Sequence, residues 1–298
     1  MKNTQKNRKQ RIYLFLVCIN IFLILILVLI PKNKPLEESV KLERDEYSSQ
    51  EDYIPDNNNT IVIPESNTNT KPFITETKQL AIVIDDVGYN LNNLDYFLKF
   101  PGPITFAILP NLPYSKEAAE RIANAGKEVI IHMPMEAVNS GLDHGPGAIF
   151  VNMNEKEILE LLVSALNSVP FAKGMNNHMG SMATTDLRVM NIVINFAKSN
   201  NLVFLDSLTS PDSIAEMVSE INQIPILKRN IFLDVNDDKE SVTEQFDKGI
   251  EITESTNPVI LIGHIQNINV INILNGLYPV LKENEIELKY LSELIKID

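Results

Sequence analysis

The stretch LAIVIDDVG, residues 80–88, decides the fold class of this chain. Five apolar residues, 80–84, run directly into the paired acids Asp85 and Asp86. A continuous apolar run of this length predicts a strand that is buried on both faces, as strands are in parallel sheets. Two adjacent carboxylates repel each other, and a bound divalent cation would relieve that repulsion. The stretch therefore raises the question of which other side chains meet the two aspartates.

Short apolar runs recur along the rest of the chain and alternate with helical patterns. We predict further strands at ITFAI (104–108), EVIIH (128–132), FAKGMNN (171–177), LVFLD (202–206), NIFLD (230–234), PVILIGH (258–264) and IELKYL (286–291). One intervening helix opens with a predicted capping box formed by Asn154 and Glu157. Strands that alternate with helices in this way predict an α/β fold, either a (β/α) barrel or an open doubly wound sheet.

Acids and histidines stand where these predicted strands end. In both α/β architectures the functional side chains lie beyond the carboxyl ends of the strands. The residues found there are Asp85, Asp86, His132, His178, Asp206, Asp234 and His264. A single histidine or aspartate at a strand end is commonly structural. Three of the chain's four histidines on one rim favour a functional site instead.

The residue types on this rim are those of a metal-dependent hydrolase. One carboxylate and two imidazoles form an open three-ligand site, and Asp86, His132 and His178 would supply them. The sequence has no G-x-S-x-G elbow and no glycine-rich phosphate-binding motif, which disfavours a serine nucleophile and a nucleotide cofactor. A glycosidase pair is also disfavoured, because adjacent strand residues point to opposite faces of a sheet.

The N-terminal region predicts a membrane anchor. Residues 1–11 carry five basic residues and no acid, and residues 12–30 carry no charge. At about 1.5 Å per residue, a helix over this run reaches roughly 28 Å, close to the thickness of the hydrocarbon core. The basic flank predicts a cytoplasmic tail and an extracytoplasmic C-terminal part. A cleaved signal peptide is the alternative.

A flexible linker is predicted over residues 31–76, which contain five prolines and few apolar residues. The catalytic domain would then occupy residues 77–298. All 39 acidic residues of the chain lie beyond residue 30. This acidic balance argues against a nucleic-acid partner and is compatible with a metal and with neutral or amino sugars. The single cysteine, Cys18, excludes an intrachain disulfide.

Several motifs resemble those of one known family. In order, they are LAIVIDDVGYN, ITFAILPNLPYS, IIHMPME, GPGAI, GMNNHMGSMATTD, FLDSLTS and LIGHIQ. Over roughly residues 78–295 the chain resembles the divergent polysaccharide deacetylases, a remote branch of the NodB-homology, carbohydrate-esterase-4-like deacetylases. The resemblance implies a distorted (β/α) barrel of about seven strands. It also implies a metal, often zinc, that is used to remove acetyl groups from glycans.

The resemblance implies roles for individual residues. Asp85 would be the general base that takes a proton from the attacking water, and Asp86 would be a metal ligand. His264 would be the acid that protonates the leaving group, and Asp206 would lie near the acidic residue that tunes the other groups.

The chain departs from typical members of the family at the metal histidines. Those members supply both from one H-x-x-x-H segment, whereas no second histidine follows His132 within such a spacing. His178 is therefore the predicted second imidazole, and Glu136 is an alternative oxygen ligand. The predicted substrate contacts are Asn176, Asn177, Ser181 and Glu136.

These inferences predict a membrane-anchored, extracytoplasmic hydrolase that removes acetyl groups from a cell-envelope polysaccharide. The expected cofactor is Zn²⁺, and the expected partners are the glycan and the membrane. One alternative is a non-catalytic module on the same barrel that binds glycan or protein. Another is a metal-dependent hydrolase with a different substrate, such as a small phosphoester.

Overall fold

The computed structural model describes residues 77–295. The predicted cytoplasmic tail, membrane anchor and linker, residues 1–11, 12–30 and 31–76, lie outside the described residues. Within residues 77–295, no helix has both the length and the apolar character that crossing a bilayer requires.

Nine strands and seven α-helices make up the described part of the chain. The strands are β1 (Lys78–Val87), β2 (Thr105–Ile108), β3 (Glu128–Met135), β4 (Ala172–Met179), β5 (Val203–Asp206), β6 (Leu227–Lys228), β7 (Ile231–Phe232), β8 (Val259–His264) and β9 (Ile286–Lys289). The helices are α1 (Leu94–Leu98), α2 (Ser115–Asn124), α3 (Glu155–Ser168), α4 (Leu187–Ser199), α5 (Ala215–Asn222), α6 (Lys239–Ile252) and α7 (Ile268–Glu283). The predicted capping box at the start of α3 is present.

All strand pairs are parallel, and the sheet follows the order β6-β5-β4-β3-β2-β1-β8-β7, with β9 also paired to β1. Only Arg229 and Asn230 separate β6 from β7, so one extended segment pairs with β5 at its start and with β8 at its end. The domain is therefore a parallel half-barrel of strands that alternate with helices. The strand order lacks the reversal of a doubly wound sheet, and the half-barrel has nine strands where a barrel of about seven was predicted.

Two apolar cores lie on the two faces of this sheet. The larger one packs the helices against the outer face. The smaller one lies on the inner face and contains Ala81, Val83, Ala107, Ile130, Val203, Leu205, Leu227, Ile260, Ile262 and Leu291. These residues alternate along their strands because successive strand side chains point to opposite faces. The apolar runs that predicted the strands are continuous because both faces are buried.

The inner core positions the polar residues of the rim. Asp85, His132 and His264 each stand two residues after an inner-core residue, namely Val83, Ile130 and Ile262. They therefore also point to the inner face, at the carboxyl ends of β1, β3 and β8. Asp85 and His264 are register partners, and so are His132 and Asn176. Side chains that are far apart in sequence therefore meet above one apolar floor.

The other end of the half-barrel is closed by a 3-10 helix, Leu291–Glu293. Leu291 packs into the inner core, and its backbone N–H donates to Thr105 Oγ1 at 3.1 Å. The backbone N–H of Ser292 donates to Glu128 Oε1, also at 3.1 Å. Because Thr105 and Glu128 begin β2 and β3, this helix covers the amino ends of the strands. The carboxyl ends remain accessible.

We expect Gly174→Ala to destabilise the domain. A Cβ on Gly174 would lie 2.7 Å from the backbone oxygen of Val203 and 3.1 Å from Ile130 Cγ2, so the backbone of β5 must shift. Such overpacking costs roughly 1–3 kcal/mol in the free energy of unfolding, measurable by urea denaturation. Gly276→Ala is the matched control, because a Cβ there meets nothing within 4 Å in α7. The control should gain up to about 1 kcal/mol, and equal stability of the two variants would contradict the prediction.

Candidate metal centre

A β-bulge at the end of β1 brings both aspartates to the same site. Ile84 pairs with Phe106 and Val87 pairs with Ile108, so Asp85 and Asp86 together oppose Ala107. Asp86 has φ +64°, a left-handed conformation that turns its side chain back toward the rim. The expectation that adjacent carboxylates point to opposite faces is wrong here, because the bulge breaks the alternation. Oδ2 of Asp85 and Oδ1 of Asp86 lie 3.6 and 3.3 Å from the same His132 Nε2.

Asp86, His132 and His178 form a tight triangle of potential ligand atoms. Asp86 Oδ1 lies 3.3 Å from His132 Nε2 and 3.1 Å from His178 Nδ1, and the two nitrogens are 3.1 Å apart. In a tetrahedral site with bonds of about 2.0–2.1 Å, ligand atoms are separated by roughly 3.3–3.4 Å. The three atoms therefore match one face of such a tetrahedron, and this group could hold a metal ion.

The chemistry of the three residues also fits a cation. Asp86 Oδ1 is buried and accepts no hydrogen bond within residues 77–295, although two imidazole nitrogens face it. Burial by itself would raise the pKa of Asp86, but His132 and His178 lower it well below the usual range, so the carboxyl is ionised. The Asp86 and His178 side chains remain 20% and 16% exposed. A cation held here would have an open side, as catalytic metal sites do.

Asp85 lies beside this group in a drier environment. Its side chain is only 2% exposed, and it accepts hydrogen bonds from Asn176 Nδ2 at 3.0 and 3.2 Å. Burial raises the pKa of Asp85, against the lowering effects of His132 and His264. A carboxylate with a raised pKa is suited to accept a proton, which is the chemistry of a general base.

His264 and Asp234 form a second pair on the rim. His264 Nδ1 is 2.9 Å from Asp234 Oδ1, and the backbone N–H of His264 donates to Asp234 Oδ2 at 2.8 Å. Burial lowers the pKa of His264, but the hydrogen bond to Asp234 and the charges of Asp85 and Asp86 outweigh it and raise the pKa to about 9. His264 is therefore an imidazolium at neutral pH, which carries a hydrogen on Nε2 as well as on Nδ1.

We expect the His264 pair to make folding stability depend on pH. Because the folded pKa, about 9, exceeds the ordinary value of 6.5, the stabilisation is complete below pH 6.5 and is lost as the pH rises through 9. The side chain is 35% exposed, so screening reduces the expected effect to about 1–2 kcal/mol. Urea unfolding of the wild type and of His264→Gln in EDTA, between pH 6 and 10, measures it. A difference between the two proteins that does not change with pH would refute the prediction.

Arg229 and Phe232 lie behind His264. The Arg229 guanidinium is 3.7 Å from the Phe232 ring centroid, and that ring is stacked on the His264 imidazole with centroids 6.0 Å apart. Arg229 also donates to the backbone oxygens of Ser207 and Leu208 at 2.7 and 2.9 Å. Residues 229–232, which follow β6 and include β7, therefore contact both the loop after β5 and the His264 ring.

A cleft of about 400 Å³ opens next to His264. Its lining residues are Asp234, Asp237, His264, Gln266, Asn267 and Ile268. They lie at the end of β8, at the start of α7 and in the loops after β7 and β8, so the cleft is at the carboxyl ends of the strands, as the metal-ligand triangle is.

The chain matches a family model described as divergent polysaccharide deacetylase over residues 82–295. This span covers most of the chain and includes the whole candidate site. The chain belongs to this family. The resemblance seen in its motifs is thereby confirmed.

Two curated relatives of this deacetylase-family chain are similar in sequence. The uncharacterized protein YibQ of Escherichia coli K12 is 37% identical over 186 residues, which cover 62% of this chain and 58% of YibQ. An uncharacterized protein of Haemophilus influenzae is 36% identical over 186 residues, which cover 62% of this chain and 66% of that protein. The matched region is less than two thirds of either relative.

A solved structure shares the fold. The crystal structure of an uncharacterized protein from Agrobacterium tumefaciens C58 has a TM-score of 0.70 and 17% sequence identity. The match covers 74% of this chain and 89% of that one. At this identity the likeness is one of fold, and it agrees with the parallel α/β architecture of the divergent polysaccharide deacetylase domain.

Two of the predicted site residues form hydrogen bonds with the loop after β5. Asp206 is buried, accepts from the backbone N–H of Leu208 at 2.9 Å and accepts from Ser213 Oγ at 2.6 Å. Asn177 is also buried and links the loops after β4 and β5, since its Nδ2 donates to Met179 O at 2.7 Å and its Oδ1 accepts from Ser207 N at 2.9 Å. Both side chains therefore hold the loops at the rim in place.

The remaining predicted site residues fall into different places. Glu136 accepts from the backbone N–H of Val151 at 2.7 Å and is outside the metal-ligand triangle. Ser181 Oγ accepts from the backbone N–H of Val138 at 3.0 Å, at the edge of the rim. Asn176 is fully buried between His132 and Asp85, so its amide contacts protein groups. Their predicted contacts with a substrate remain predictions.

Asp234 and Arg229 are the functional candidates that sequence reasoning left without a role. The position of Asp234 at the end of a predicted strand was visible, but its pairing with His264 depends on the neighbouring positions of β7 and β8. No sequence pattern indicated a role for Arg229, because it lies in a polar stretch between two strands of two residues each.

Proposed function

We propose that this chain is a metal-dependent hydrolase that removes acetyl groups from a cell-envelope polysaccharide, with residues 12–30 as its membrane anchor. The proposal is carried by one juxtaposition: a base, Asp85, and a cationic acid, His264, flank a triangle of metal-ligand atoms. Support for the anchor comes from the sequence alone, from the uncharged run and its basic flank.

The ligand set supports zinc as the ion. Two imidazole nitrogens and one carboxylate oxygen with tetrahedral spacing are a typical catalytic zinc set. A divalent cation held by Asp86, His132 and His178 would polarise an acyl carbonyl and lower the pKa of a water molecule.

The residues around the triangle account for the proton transfers. Asp85 would take a proton from the attacking water as the water oxygen bonds to the acyl carbon. The bond between that carbon and the sugar nitrogen or oxygen then breaks, and His264 would give its Nε2 proton to the leaving atom. Asp234 holds the other side of the imidazole and stabilises its charged form. Acetate and a deacetylated sugar are the products.

The acidic character of the chain beyond residue 30 supports a neutral or amino sugar over a polyanion. The cleft beside His264, at about 400 Å³, is large enough to accept a sugar unit.

The test is acetate release by the full-length protein. N-acetylated chitooligosaccharides and peptidoglycan fragments would be incubated with Zn²⁺, Co²⁺, Mn²⁺ or Mg²⁺ and assayed for acetate. Release that EDTA abolishes and a divalent ion restores supports the proposal. Glycan binding without release under every ion would instead support a non-catalytic module, and hydrolysis of p-nitrophenyl phosphate alone would support a phosphoesterase.

A further inference from the structure

Asn176 connects the candidate base to a candidate metal ligand. Its side chain is fully buried in β4, opposite His132 in β3. Oδ1 lies 2.7 Å from His132 Nδ1, and Nδ2 lies 3.0 Å from Asp85 Oδ1 and 3.2 Å from Ser207 Oγ. Every polar atom of this amide therefore has a protein partner.

The partners fix the orientation of the amide. The NH₂ group faces both oxygens of Asp85, at 3.0 and 3.2 Å, and the carbonyl oxygen faces His132. Turning the amide round would place its oxygen against a carboxylate, leaving two buried acceptors without a donor. The His132 Nδ1 must consequently carry a hydrogen, which leaves Nε2, 3.3 Å from Asp86 Oδ1 and 3.1 Å from His178 Nδ1, as the nitrogen available to a cation.

We propose that Asn176 is a positioning residue that fixes the tautomer of His132 and the orientation of the Asp85 carboxylate at the same time. The inference rests on the metal-dependent function proposed above. An asparagine with a purely structural role would not need to contact both a metal ligand and the base. The amide oxygen of Asn176 orients the His132 ring so that Nε2 can bind a metal, and the amide NH₂ group orients the Asp85 carboxylate.

A carboxylate at this position could not do both tasks. Metal-binding histidines commonly donate their second N–H to a carboxylate or a carbonyl, and either would serve His132. A carboxylate, however, has no hydrogen to donate to Asp85 and would add a second buried negative charge beside it. The amide is the side chain that accepts on one side and donates on the other.

Two variants of the full-length protein separate the two tasks. Asn176→Leu removes both hydrogen bonds with a side chain that branches at the same atom, and Asn176→Asp keeps only the acceptor for His132. We expect Asn176→Leu to lose roughly 10- to 100-fold in Zn²⁺ affinity, the range found for outer-shell partners of metal-bound histidines. Asn176→Asp should keep Zn²⁺ affinity within about threefold of the wild type but lose at least tenfold in kcat for acetate release.

The tautomer gives a readout that is independent of activity. Histidine ¹⁵N NMR of the Zn²⁺-titrated protein should show a protonated Nδ1 on His132 in the wild type and in Asn176→Asp. Asn195→Asp, on the exposed side of α4, is the matched control and should change neither affinity nor spectrum.

The outcomes separate this inference from the proposed function. If the wild type releases no acetate but Asn176→Leu still loses Zn²⁺ affinity and the His132 signal, the positioning role stands and the deacetylase proposal fails. If Asn176→Leu binds Zn²⁺ as the wild type does and the His132 signal is unchanged, the positioning role is overturned. Should Asn176→Leu fail to fold, a His132 Nδ1 that is unprotonated in Asn176→Asp would overturn it instead.

Discussion

Replacing His178 by alanine should abolish tight binding of a divalent cation. His178 Nδ1 supplies one corner of the triangle, 3.1 Å from both Asp86 Oδ1 and His132 Nε2, and two protein ligands cannot hold a cation against water as three can. We expect the Zn²⁺ affinity to fall by more than about 100-fold, beyond the effect of losing an outer-shell partner. Isothermal titration with Zn²⁺, or competition with a chromophoric chelator, measures the change on the full-length protein.

His144→Ala is the matched control for this loss. His144 is buried in the loop after β3, where its Nε2 accepts from the backbone N–H of Ala137 at 2.9 Å and its ring contacts Phe150. Its removal should lower stability without weakening the metal site. Equal Zn²⁺ affinity in His178→Ala and the wild type would show that the triangle is not a metal centre.

Replacing Asp85 by asparagine should remove catalysis and leave metal binding in place. If Asp85 is the general base, acetate release should fall by about 10²- to 10⁴-fold, the usual contribution of a positioned base. The Zn²⁺ affinity should change only a few-fold, because the triangle is formed without Asp85. Parallel measurements of acetate release and Zn²⁺ binding separate the two roles.

Asp95→Asn provides the same chemical change at a distant surface position, where Asp95 pairs with Arg121. It should leave both measurements unchanged. A large loss of Zn²⁺ affinity in Asp85→Asn would instead make Asp85 a ligand and remove it as the base.

The regular part of the fold was predictable because it follows from burial. Runs such as 80–84 and 258–264 are apolar on both faces, and the strands β1 and β8 form where they stand. Strand β6 (Leu227–Lys228) was not predictable, since a strand of two residues has no periodicity to detect, and of the strand predicted at 230–234 only Ile231–Phe232 forms. Strands β3 and β4 extend beyond the predicted ends at 132 and 177, because the parallel pairing continues as far as Met135 and Met179.

The sequence predicted which residues form the candidate site better than it predicted how they are arranged. The sequence indicated Asp86, His132 and His178, and these converge. It could not indicate the bulge that turns Asp85 and Asp86 the same way, because alternation predicts opposite faces. Nor could it distinguish an asparagine that faces a ligand from one that is fully buried, as Asn176 is. That distinction depends on the neighbouring strands.

The left-handed backbone at position 86 restricts which residue types are favoured there. Glycine, asparagine and aspartate tolerate that conformation readily, whereas longer or branched side chains are strained by it. Of these three, only aspartate carries a negative charge. Glutamate keeps the charge but is less favoured in this conformation, although Glu285 adopts it elsewhere in the chain, and asparagine favours the backbone but lacks the charge. Aspartate alone combines a commonly left-handed residue type with a negative charge at the position that faces His132 and His178.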